Sequence, residues 1–347
     1  MNRRNLLLLG GAAVAAVGGA LLLTPETPTA PPPSETALAF PGLAQRLANA
    51  ATIEVRRNDG TLVVRKAGEA WVLPAKADHP VRPEKVRELL VGLTELRLAE
   101  PRTANPEMLE RLGLNDPGQP GSTASHLRVL DAQGAVIAEL VIGRRRVRVQ
   151  GNVPESVYVR RANENQAWLG EGRLPLDGDP NLWIDRDLAN IARERVLALT
   201  VTREGEAPLV VRKDRDADGK LAVVTPSEAG EMDEISLDEI SRAFEFLTFL
   251  DVRKAAEIPG ERLGIGAFEL TDNLRITATV NKDGETIWVM LAAEGDEEAT
   301  RFNNRWRGWA YQVGQWKEKA FVPRLEDLRK QPPAASAEPA AEPPAPQ

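Results

Sequence analysis

"TLVVRK", residues 61–66, returns as "PLVVRK" at 208–213, identical over five positions. In front of each lies a short alternating run, "TIEVRR" (52–57) and "ALTVTR" (198–203). Alternation of apolar and polar side chains marks a strand with one face buried. Behind each comes a helical pattern. "RPEKVRELLVGLTEL" (82–96) sets Val86, Leu89, Leu90, Leu93 and Leu96 at helical spacing, with Pro83 in the first turn. "SLDEISRAFEFLTFL" (236–250) does the same with Leu237, Ile240, Phe244, Leu247 and Leu250, and Ser236 with Glu239 reads as a capping box.

The correspondence extends outward. "ERLGL" (110–114) matches "ERLGI" (261–265), each glycine read as a helix stop. "HLRVLDAQGAVIAELVIG" (126–143) matches "NLRITATVNKDGETIWVML" (273–291), two strands around turns at Gln133-Gly134 and Asp283-Gly284. "SVYVRRANENQAWLGE" (156–171) matches "TRFNNRWRGWAYQVGQ" (300–315), each a candidate hairpin. The expected fold is therefore α+β: two tandem, structurally similar units, residues 38–195 and 196–330. Each is an antiparallel sheet with one main amphipathic helix. Within "DPNLWIDRDLANIARERV" (179–196), Leu182, Trp183, Ile184, Leu188 and Ile191 are apolar, so the link is expected to pack and the units to dock on each other.

The N-terminus is of another kind. After Arg3 and Arg4, Leu6 to Leu23 carries no charged or polar side chain. Such a span covers roughly 27 Å as a helix, close to the hydrocarbon thickness of a bilayer. It is read as an uncleaved single-pass anchor, residues 1–23, with the lipid bilayer as partner and the N-terminus cytoplasmic by the positive-inside rule. A cleaved signal, or a twin-arginine export signal, is the competing reading. "TPETPTAPPPSETA" (24–37) is read as a proline-rich stalk, and 331–347 as a disordered Pro/Ala/Glu tail.

Composition narrows the function. The chain has 347 residues, no cysteine and two histidines, His79 and His126. Thiolate chemistry is excluded. The net charge of -7 argues against nucleic acid as a partner. No nucleophile elbow, phosphate loop or H-E-x-x-H motif is present, and no cofactor is implied.

Three stretches remain as candidate sites. Asp214, Asp216 and Asp218 follow the start of a calcium loop, but its twelfth position is Thr225 and strand-like runs flank it, so a hairpin turn is expected and metal binding is the weaker reading. Arg144, Arg146 and Arg148 share one face of a strand, as an anionic-patch reader or as charge protecting a sheet edge. Trp306, between Arg305 and Arg307, is placed at the tip of a hairpin, either as an interface contact or folded back onto Trp316.

"GEAWVLP" (68–74), "ERLGL" before a strand and an "IG" turn, and "LWIDRDLANI" leading into "LALTVTR" (197–203) resemble the bacterial domain-of-unknown-function family numbered 4340. The resemblance implies a membrane-anchored protein, some relatives being linked with gliding-type ABC transport systems, and carries no catalytic residues. The leading expectation is a non-enzymatic, periplasm-facing accessory protein of the inner membrane with a membrane-protein partner. An envelope glycan or small-molecule binder using the groove between the units is the first alternative, an unrecognised hydrolase the second.

Overall fold

The computed structural model describes residues 37–146, 155–214 and 219–330. The apolar run at 6–23, residues 24–36, Arg148, Asp216, Asp218 and the tail from 331 lie outside them. Among the described residues no helix is long and apolar enough to cross a membrane.

The first half opens with β1 (Ala37–Leu38) and α1 (Leu43–Arg46), then β2 (Ala50–Arg57), β3 (Gly60–Ala67), β4 (Ala70–Leu73) and β5 (His79–Pro80). α2 (Pro83–Glu95) and β6 (Arg97–Pro101) follow. Four more strands close it: β7 (Ser125–Asp131), β8 (Val136–Arg146), β9 (Ser156–Arg160) and β10 (Ala167–Glu171). The connector holds β11 (Asp187–Ala189).

The second half starts with β12 (Val196–Thr202), β13 (Leu209–Lys213) and β14 (Leu221–Thr225), then α3 (Glu234–Ser241). Next come β15 (Leu247–Thr248), β16 (Asp251–Lys254), β17 (Glu261–Leu270), β18 (Arg275–Asp283) and β19 (Thr286–Glu294). α4 (Glu297–Trp306), β20 (Trp309–Val313), α5 (Lys317–Phe321) and α6 (Leu325–Leu328) complete it.

The ten-stranded sheet runs β1-β6-β10-β9-β8-β7-β2-β3-β4-β5, and the eight-stranded sheet β14-β13-β12-β17-β18-β19-β20-β16. All of these pairings are antiparallel. The architecture is α+β. Set β1 and β5 aside, and the first sheet reversed reads β4-β3-β2-β7-β8-β9-β10-β6, strand for strand the order of the second.

That order shifts part of the sequence correspondence by one hairpin. By position in the sheet, the 126–143 hairpin pairs with β17–β18, not with 273–291, which is β18–β19. "ERLGL" is a 3-10 turn capped by Gly113 at φ 68°, whereas "ERLGI" lies inside β17. The hairpin expected at 300–315 is instead α4 followed by β20. Ala299 and Trp306 are buried and Phe302 partly so, a helical stripe that outweighs alternation in this stretch. The second main helix begins earlier than the capping box implied. Asp233 is its N-cap, accepting from the Ser236 N–H, and it ends at Ser241, well short of Leu250.

One core runs through both halves. Val86, Leu89, Leu93 and Leu96 are sealed, each such burial contributing about 1.5–3 kcal/mol. Gly92 lets α2 lie against the chain after β10, since a Cβ there would sit 2.2 Å from the Arg173 carbonyl oxygen. The connector packs as expected. Trp183, Ile184, Leu188 and Ile191 are buried, the Trp183 Nε1–H donates to the Asp177 carbonyl, and the Arg82 N–H donates to the Trp183 carbonyl. β11 pairs with β15, so the linker is itself stitched to the second half. Leu182 stays exposed.

Candidate functional site

Where the halves meet, an open cleft of about 730 Å³ lies between the start of α2, the connector and α4. His79 and Arg82 form one wall, Asp185 and Asp187 the next, Arg301, Asn304 and Arg305 the third, and Trp309 lines it as well. Lys76 bridges to Asp251 at 2.7 Å, fixing one half against the other.

His79 is 7% exposed and packs against rings of the second half, 4.8 Å from Trp309 and 5.6 Å from Phe249. Burial pulls its pKa down to about 4, against a smaller opposing pull from its bond to the Pro80 carbonyl, so the ring is neutral near pH 7. A carbonyl can only accept, so Nδ1 carries the proton and donates to Pro80 at 3.1 Å. Nε2 is left as an acceptor, without a partner among the described residues, and keeps accessible surface.

Most charges around the cleft are already satisfied. Arg82 donates to Glu84 at 2.9 Å. Arg305 donates to the Asp187 carbonyl oxygen at 2.6 Å and reaches the Asp185 carboxylate at 3.3 Å. Lys254 sits 3.8 Å above the Trp309 ring. The side chains of Arg301, Asn304 and Asp187 have no hydrogen-bond or ion-pair partner among the described residues.

A second feature lies at the β16–β20 edge of the eight-stranded sheet. Leu250 and Trp316, 50% and 68% exposed, line one shallow depression. Phe246, 80% exposed, stands on the adjoining turn. Lys317, next to Trp316, donates to the carbonyls of Arg242 and Ala243 in that turn, and burial lowers its pKa to about 8. Phe246 has φ 45°, in the left-handed region that costs a side-chain-bearing residue about 1–2 kcal/mol. The Asn190 side-chain oxygen accepts from its backbone N–H and holds it there.

Trp306, by contrast, is 1% exposed; it stacks on Phe302 at 4.6 Å and donates from Nε1 to the Leu188 carbonyl. It is a core residue, not a projecting one, because its place on α4 faces β11. Arg305 does reach the cleft, and Arg307 is exposed at the end of α4. Arg144 and Arg146 are exposed at the end of β8, in the first half, on a different element from Arg305 and Arg307. Arg145 between them donates to the Leu174 carbonyl.

Asp214 closes the β13–β14 hairpin as the turn reading required, its N–H donating to Lys220 O and its carbonyl accepting from Gly219 N–H. Among the described residues no group of His, Asp and Glu is arranged to hold a metal ion. His126 lies on the open face of the first sheet, 2.8 Å from Glu139, and Arg128 sits directly opposite both Glu54 and Glu139 in the strand register. That is a cross-strand charge network.

Arg301, Asn304, Asp185 and Trp309 did not stand out in the sequence as site residues. They lie in two segments more than a hundred residues apart, and the packing of α4 against the connector gathers them.

Residues 71–263 match the family described as "Domain of unknown function (DUF4340)", and the chain belongs to it. The match runs from β4 across the connector into β17, spanning the junction of the two sheets. No curated protein and no solved structure matches the chain.

Proposed function

We propose that this chain is a non-enzymatic docking protein that holds a membrane-protein partner against the face carrying Phe246, Leu250 and Trp316. The observation that carries this reading is Phe246. A large aromatic side chain in a left-handed backbone costs stability, and at 80% exposure it recovers little by burial. Such a residue is explained by contact with something else, and exposed aromatic side chains have the composition of an interface hot spot, as do Trp316 and Leu250, which line one depression.

The two halves are two copies of one unit in this reading, supported by their matching strand order. Leu6 to Leu23 anchors the chain in the inner membrane, and the described residues face the periplasm, as the arginines ahead of the span suggest. Association with an ABC-type transport assembly follows from the family resemblance. In this reading the chain is non-enzymatic, as the sequence carries none of the catalytic motifs sought in it.

The test is affinity isolation of the full chain from gently solubilised membranes, side by side with a Phe246→Ala/Trp316→Ala variant. A membrane protein recovered with the wild type and lost with the variant is the expected result. Equal recovery from both removes the reading.

A further inference from the structure

The cleft between the halves has unmet hydrogen-bonding capacity of a particular kind, on a surface separate from Phe246 and Trp316. Arg301 and Asn304 stand one helical turn apart on α4 with free side chains, so they address neighbouring points on one ligand. Facing them, Asp187 is a free carboxylate and His79 Nε2 an acceptor open to the cleft. With no donor from the protein, Nε2 is available to accept from a ligand N–H or O–H. Lys254 adds positive charge at Trp309.

We infer that the cleft binds an extended acidic peptide segment, its carboxylate paired with Arg301 and Asn304 and its backbone N–H groups donating to His79 Nε2 and Asp187. A phosphate fits less well, because near neutral pH it carries few O–H donors for His79 Nε2 and Asp187, whereas a peptide repeats an N–H along its length. A peptide supplies donors and carboxylates on the same strand at a regular spacing. The paired ions Arg305–Asp185 and Arg82–Glu84 then act as fixed walls, which limits reorganisation on binding.

The experiment uses the full chain in detergent and three labelled synthetic peptides, alternating Asp–Ser, Asn–Ser and Lys–Ser, read by fluorescence anisotropy. The Asp–Ser peptide is expected to bind, and Arg301→Glu to weaken it about tenfold or more. His79→Phe, which keeps the ring and removes the acceptor, is expected to weaken it several-fold. Trp316→Ala should leave it unchanged, so that failure here is distinguishable from failure of the docking face. If His79→Phe does not fold, Asn304→Ala takes its place. Equal binding of the Asn–Ser or Lys–Ser peptide, no binding at all, or indifference to Arg301→Glu would overturn the inference. So would an oligogalacturonate that displaces the peptide and binds more tightly, which would give the cleft to an acidic saccharide.

Discussion

The connection from β9 to β10 is the short stretch 161–166, while the equivalent connection from β19 to β20 carries the whole of α4. The scaffold on either side has the same strand order, so the difference isolates what the extra residues do. α4 drives Trp306 into the core against Leu188 and turns Arg301, Asn304 and Arg305 toward the first half. Between strands placed alike in the two sheets, α4 thus supplies one wall of the cleft. The same contrast separates two tryptophans ten residues apart: Trp306 holds the helix down, and Trp316 faces solvent.

The largest expected effect lies on the buried side of that comparison. Trp306→Ala should destabilise the protein by about 3–5 kcal/mol, through the cavity and the lost bond to Leu188. Urea denaturation checks it, and a loss below about 1 kcal/mol would mean α4 is not anchored there.

His79 comes next. Its pKa is depressed on folding from 6.5 to about 4, so between those values the unfolded chain binds the extra proton. Its contribution is therefore complete above about pH 6.5, falls away as the pH drops toward 4, and amounts to about 3 kcal/mol. His79→Phe should flatten the fall in stability across that window relative to wild type. Parallel curves would show that the ring titrates normally in the fold.

Phe246→Gly should raise stability by about 1 kcal/mol, because glycine adopts the left-handed conformation without penalty. The gain is partly offset by the flexibility glycine adds to the unfolded chain. Trp316→Ala should change stability least, within about 0.5 kcal/mol, as an exposed side chain away from the core.

How much of this was legible in the sequence depends on the length scale of the interaction. α2 announced itself through five apolar residues and Pro83, and the turn at Gln133-Gly134 through its glycine at φ 83°. Both are local. Tyr311 and Val313 share a buried face of β20. α4 was hidden because "RFNNRWRGW" is rich in Arg and Asn, leaving only Ala299, Phe302 and Trp306 to mark its inner side. The cleft was invisible for a different reason: no local pattern encodes that residues 79, 187 and 301 converge. The exposure of Phe246 was equally hidden, since nothing local marks where the second main helix stops. Only the short helix, ending at Ser241, throws it outward.

The most direct test pairs two readouts on one protein, the full chain carrying Phe246→Gly: its urea midpoint, and its recovery of a membrane partner from solubilised membranes. A strained aromatic kept for contact should yield a protein at least as stable as wild type that no longer retains the partner. A variant that loses stability, or that retains the partner undiminished, would contradict the account.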